Sequence, residues 1–146
     1  MNRAAAVALA AFLAPWTALA IEPPAKLVVV DLQTGDGRFV EVGRGVSVHY
    51  TGWLFDPDAA TDDPCLARGK QFDSSRNRQR PFNFPLGEGF VIPGWDIGVV
   101  GMQVGGHRCL VVPPDMAYRE HGAGGGVIPP NATLIFEVEV LSVADF

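Results

Sequence analysis

Few residues of this chain are of a type and placement to do chemistry. They are three histidines (His49, His107, His121), two cysteines (Cys65, Cys109) and the tight apolar turn Val91-Ile92-Pro93-Gly94-Trp95. The histidines stand apart and the cysteines are single, so there is no paired ligand spacing for zinc, and no metal is expected. The turn is more informative. Pro93 suits a helix start, because its φ is already set and it has no N–H to leave unpaired. Trp95, Val99 and Met102 then recur at i, i+4, i+7, which predicts a short helix with one buried face. Trp95 is either a plain core aromatic or the floor of a pocket.

The elements around it must supply the walls. Val46–Leu54 alternates, with Val46, Val48, Tyr50 and Leu54 on one face and Ser47, His49 and Thr51 on the other, so Tyr50 faces inward. Leu27–Leu32 reads as a first strand, closed by the turn-forming Thr34-Gly35-Asp36-Gly37. Phe55–Lys70 is a polar surface loop with Cys65 in its middle. Phe72-Asp73-Ser74-Ser75 begins a short strand or bend, Phe82-Asn83-Phe84 alternates again, and Gly87 and Gly89 break the chain. His107–Val112 is a strand ending at Pro113-Pro114. Asp115–Pro130 is a loop long enough to be functional or disordered, and it holds Tyr118. Ala132–Val143 is the last strand, with Leu134, Phe136, Val138 and Val140 inward. About five to six strands, one short helix and no βαβ alternation predict an α+β fold, a curled antiparallel β-sheet wrapped over one short α-helix. Tyr50, Phe72, Phe82, Val91, Ile92, Tyr118, Ile128 and Phe136 are then placed to line a pocket above Trp95.

The 146 residues are 48% hydrophobic and 18% charged, which fits one globular domain. The net charge is -5 and the basic residues are scattered, so no nucleic-acid or anionic-membrane partner is expected. Residues 1–20 read as a cleavable export signal: Arg3, an apolar run, then the small residues of Ala18-Leu19-Ala20. Cleavage leaves an extended arm at 21–26, the domain at 27–146 and no membrane segment. In an oxidising compartment two thiols tend to pair. Cys109 falls on the face of its strand opposite the core, and Cys65 lies in the one excursion long enough to reach it. The alternative is a buried Cys109 and an unpaired loop thiol at Cys65. Asp73 reads as a turn former, as an acid paired with Arg76, or as a buried carboxylate accepting from Tyr118.

Five segments, taken in order, carry a resemblance. They are Val48-His49-Tyr50-Thr51-Gly52, Gly69-Lys70-Gln71-Phe72-Asp73-Ser74-Ser75, Val91-Ile92-Pro93-Gly94-Trp95, Pro114-Asp115-Met116-Ala117-Tyr118 and Ile128-Pro129-Pro130-Asn131-Ala132-Thr133-Leu134. In residue type and spacing the chain from Leu27 to Val143 resembles FKBP-type peptidyl-prolyl cis-trans isomerases. The resemblance implies Trp95 as the floor under a substrate proline and a catalytic set of Asp73, Tyr118, Trp95 and Phe136. Tyr50, Phe72, Phe82, Val91, Ile92 and Ile128 would bind the substrate, with the Ile92 N–H receiving a carbonyl.

It further implies a cofactor-free, monomeric isomerase acting on proline-containing unfolded or partly folded polypeptides, periplasmic if bacterial. Macrolide ligands of the FKBP pocket are implied as well. A chaperone-like binding module with incidental isomerase activity is the alternative. The family's chemistry suits such an apolar set. Amide rotation faces a barrier of about 18–20 kcal/mol from resonance and needs no proton transfer. Arg119 follows Tyr118 where many members have glycine, and the Phe55–Lys70 excursion is longer than in minimal members.

Overall fold

A computed structural model of the protein describes residues 20–145, so the expected export signal lies outside the described residues apart from Ala20. Six antiparallel strands form one sheet: β1 (Val28–Gln33), β2 (Gly45–Phe55), β3 (Arg68–Ser74), β4 (Phe82–Pro85), β5 (His107–Val112) and β6 (Leu134–Ala144). Their order is β1-β5-β6-β2-β3, and β4 also pairs with β2. The single α-helix among the described residues, α1 (Pro93–Gly98), packs on one face.

β2 organises the sheet. β6 pairs along it from Gly45 to Leu54, while the other edge is divided between β4 at Gly45–Val48 and β3 at Thr51–Phe55. The chain between β3 and β4 therefore leaves the sheet at mid-strand, where the Ser75 N–H donates to the Tyr50 carbonyl at 3.0 Å. The predicted alternation of β2 holds: Val46, Val48 and Tyr50 are buried and their neighbours only half-buried. On β6, Leu134, Phe136, Val138 and Val140 join Trp95, Val99 and Met102 in one core. The opposite face of the sheet is covered too. Cys109, Val111 and Ile135 lie fully buried beneath Cys65 and Ala67, and Cys65 and Cys109 are joined by a disulfide.

Several boundaries differ from the sequence reading. The Phe55–Lys70 excursion is not all loop, since β2 runs to Phe55, β3 starts at Arg68, and Pro64–Leu66 forms a 3-10 turn capped by the Asp63 side chain. Phe72-Asp73-Ser74 ends a strand rather than beginning one, because residues 68–71 gain pairing partners on β2 that local sequence does not show. The helix stops at Gly98, with Val99 as its cap and Gly101 at φ 81 turning the chain, so Met102 is buried from beyond the helix. Asp115–Pro130 is ordered as three 3-10 turns with an Ala123–Ile128 bridge.

Arg108 fixes α1 to the sheet. From β5 its Nη1 donates to the Gly98 and Val100 carbonyls, both at 2.9 Å, and its Nε to Asp31 of β1 at 2.7 Å. The Gly98 carbonyl is one of the orphans that a helix end leaves, and the guanidinium satisfies it together with the Val100 carbonyl just beyond the cap. The helix also sits close to the strand: a Cβ on Gly98 would meet Leu110 Cδ2 at 2.7 Å.

Candidate active site

Alternation on β2, β4 and β6 and the single turn into α1 bring five rings together. Trp95 is met by Tyr50, Phe136 and Phe82 with centroids at 5.0, 5.3 and 6.1 Å, all edge-on, and by Phe84 tilted at 5.6 Å. Edge-to-face contacts set the positive rim of one ring against the negative face of another, so the cluster is held by geometry as well as by area. Above it opens a cavity of about 150 Å³. That is roughly five times the ~30 Å³ share of a water in the liquid, and well under the ~300–1,000 Å³ of sites that enclose whole drug-sized ligands. A cavity of that size is on the scale of one small ring rather than of a whole drug-sized ligand.

Of the residues named from the sequence, Tyr50, Phe72, Phe82, Val91, Ile92, Trp95, Tyr118, Phe136 and Asp73 all line this cavity. Ile128 does not: it is buried in the core, paired back to Ala123 at the base of the loop. A loop whose ends meet in a bridge turns that side chain toward the sheet. Gly52 makes room for the wall. It is the β-sheet partner of Phe136, and a Cβ there would lie 2.5 Å from Phe72 Cζ and 3.0 Å from Phe136 Cε1. Only without a side chain at this point do Phe72 and Phe136 meet edge-on at 5.6 Å.

The polar side of the cavity departs from the sequence reading. Asp73 accepts from the Tyr50 hydroxyl and from Arg78 Nη1 at 2.5 Å, and Arg78 Nη2 also donates to Tyr50 Oη at 3.2 Å. Tyr118 is not its donor, and Arg76 pairs with Glu139 instead. Nor is the carboxylate buried, with 37% of the side chain exposed. The mid-strand exit of the β3–β4 turn explains this, because it aims Arg78 back over the sheet. Burial alone would raise the Asp73 pKa, but the hydrogen bonds from Tyr50 and Arg78 and the guanidinium charge outweigh it and hold the carboxyl below its ordinary value. Tyr50 is pushed up to about 12, first by burial and then by its bond to Asp73. Tyr118 is raised by burial and by the Asp73 charge.

Two donors at the rim are left over. Tyr118 makes no side-chain hydrogen bond among the described residues and is 38% exposed, and the Ile92 N–H meets no acceptor there either. The Ile92 carbonyl, by contrast, accepts from the Trp95 and Asp96 N–H groups at 2.9 and 3.2 Å. Arg119, beside Tyr118, adopts φ 53, which is the left-handed region that a glycine would enter without cost. Sequence reasoning missed Phe90, which lines the cavity, and Arg78. Phe90 stands outside every alternating run; Arg78 was one of several arginines in a turn, and nothing local singles it out.

A curled sheet closed over one helix, with an aromatic cavity and two free donors at its mouth, defines a small α+β domain built to take an apolar ring. The family described as FKBP-type peptidyl-prolyl cis-trans isomerase matches residues 36–141. An FK506-binding protein of Streptomyces anulatus is 47% identical over 122 residues, 84% of this chain and 90% of that protein. An FK506-binding protein of Neisseria meningitidis serogroup B is 50% identical over 117 residues, 80% of this chain and 95% of its own. The crystal structure of AtFKBP13 superposes with a TM-score of 0.68 at 35% identity, over 87% of this chain and 98% of that one. The chain belongs to the FKBP-type peptidyl-prolyl cis-trans isomerase family, whose members bind proline-containing peptides and FK506-type ligands. It is an isomerase of peptide bonds that precede proline.

Proposed function

We propose that this isomerase works by seating a substrate proline ring on Trp95 and stabilising the twisted amide within the aromatic cavity. The observation that supports it most directly is the pairing of an apolar floor with two uncommitted donors, the Ile92 N–H and the Tyr118 hydroxyl, at the rim. The planar amide is charge-separated by resonance, so an apolar surrounding weakens it relative to the twisted, less polar form. Donors that meet the carbonyl only in the twisted geometry add binding specific to the transition state, which is what accelerates a step. X–Pro bonds suit this site because their cis and trans forms differ by only about 0.5–1 kcal/mol. Asp73, already bonded to Tyr50 and Arg78, orients the wall and transfers no proton.

The substrates are proline-containing unfolded or partly folded polypeptides in the compartment to which residues 1–20 direct the chain, periplasmic if the cell is bacterial. The mature protein works as a monomer starting at Ile21, and FK506-type macrolides compete for the cavity. A protease-coupled assay on X–Pro peptides tests the reading: cis-to-trans conversion should accelerate, most with an apolar residue before proline. A well-folded mature protein without activity would remove it. N-terminal sequencing of secreted material beginning elsewhere than Ile21 would remove the processing site.

A further inference from the structure

α1 carries the floor of the cavity at Trp95 and follows directly on the Ile92 N–H, yet it is only 6 residues long and its N-terminus has no side-chain cap. A helix that short does not hold itself, so its place is set by what it lies on. Asp96 accepts from the Gly87 and Gly89 N–H groups at 2.8 and 2.9 Å, which joins α1 to the loop before it and not to the sheet. The sheet meets it through alternate residues of β5. A Cβ on Gly94 would come within 2.4 Å of Val112 Cγ1, and one on Gly98 within 2.7 Å of Leu110 Cδ2. Two glycines one turn apart thus rest on two apolar side chains, a contact that is close but has no direction. Arg108, next on that face, supplies the direction: its Nη1 donates to the Gly98 and Val100 carbonyls while its Nε is held by Asp31 of β1.

An arginine is a costly anchor here. Arg108 is 9% exposed, and the carboxylate that balances it is 56% exposed. An apolar side chain would pack on the same face without desolvating an ion, and replacing buried ion pairs by apolar residues is often neutral or stabilising. What it would lack is the hydrogen bonds that stop α1 from sliding along β5 or turning on it. We propose that Arg108 is a positioning residue for the isomerase: by gripping the end of α1 it sets where the Trp95 ring and the Ile92 N–H stand relative to the amide being twisted. Displacement by about 1 Å from the productive geometry can cost about a hundredfold in rate. The inference rests on the isomerase reading above.

The test compares kcat and KM on one X–Pro peptide for wild type, Arg108→Leu, Arg108→Lys and Arg38→Leu, each well below its melting temperature. Arg38 pairs with Asp145 at the surface and is the control. Arg108→Leu should stay folded and lose about tenfold or more in kcat with KM within about twofold, the pattern of an interaction realised in the transition state. Lysine keeps the charge without the fork that reaches two carbonyls and Asp31, so Arg108→Lys should recover only part of the loss. Arg38→Leu should follow wild type. The expected export signal holds Trp16, so in a Trp53→Phe background the fluorescence of the mature chain reports Trp95 alone. That emission should shift in Arg108→Leu and not in Arg38→Leu. A folded Arg108→Leu with kcat within about twofold of wild type, or with a loss carried by KM, overturns the assignment and leaves the isomerase reading in place, as does a loss without any shift of Trp95 emission. If Arg108→Leu does not fold, Arg108→Lys decides in its place, and wild-type kcat there overturns the assignment. A folded wild type inactive on the peptide overturns both readings.

Discussion

The Tyr50 hydroxyl donates to the Asp73 carboxylate between β2 and β3, and Arg78 donates to both, closing a triangle on the wall of the cavity. Each member is already paired, which marks the group as a fixed wall rather than a proton relay. The rate should therefore be nearly flat from about pH 6 to 8, and Asp73→Asn should lose less than about a thousandfold, the scale a general acid–base residue can command. Outside that window the signs are set by linkage. A carboxyl with a lowered folded pKa contributes stability that is present above its ordinary 3.8 and lost as pH falls through the lowered value. A phenol raised from 10.0 to about 12 contributes stability that is full below 10 and lost as pH rises toward 12. A bell-shaped profile centred near neutrality would contradict the mechanism.

Trp95 serves as both floor and core, so its replacement must be read in two measurements. Trp95→Ala should cost about 3–5 kcal/mol of stability and lower the rate far more than truncation of Arg38 does. Trp95→Phe should cost less, because it also removes an indole N–H that is buried without a hydrogen-bond partner. Full activity in a folded Trp95→Ala would leave Trp95 a core residue only.

At Gly52 a single methyl should reach the site without touching substrate. The nearest atoms to an added Cβ are the rings of Phe72 and Phe136, at distances that force them to shift. Overpacking of this kind costs about 1–3 kcal/mol. Gly52→Ala should lower kcat/KM and also the melting temperature, and Phe72→Leu in the same chain should restore part of both by freeing space. Loss without any rescue would argue for a backbone effect instead.

The Cys65–Cys109 bond closes a separation of 44 residues and pins the 56–67 excursion onto the outer face of the sheet, away from the cavity. Chain entropy values such a closure at about 4 kcal/mol as an upper figure. Cys65→Ala with Cys109→Ala should lower the melting temperature by roughly 10 °C, while isomerase activity at low temperature stays mostly intact. Thiol titration of denatured, unreduced protein from an oxidising compartment should find no free thiol; two would refute the bridge.

How much of this was legible beforehand follows from the range of the forces involved. Period-two alternation placed Tyr50 and Phe136 on the inner face, and the Pro93-Gly94-Trp95 turn announced the helix, because burial of one face is written into neighbouring residues. The five motifs together were enough for the family. Local pattern could not say that β3 begins at Arg68, since those residues become a strand only through pairing with β2, nor that Ile128 turns inward at a bridge closed by Ala123. Asp73 is the clearest case. Its carboxylate was legible as a group needing donors, but the choice of Tyr50 and Arg78 over Tyr118 and Arg76 depends on β2 being shared by two strands, so that the intervening turn swings Arg78 across the sheet. Phe90 likewise takes its place from Asp96 holding two glycine N–H groups, a contact between the loop and α1 that exists only once the chain has folded. Side-chain type and spacing determine what must be buried; which polar group answers which is decided by tertiary geometry, because a hydrogen bond is made only within about 3 Å.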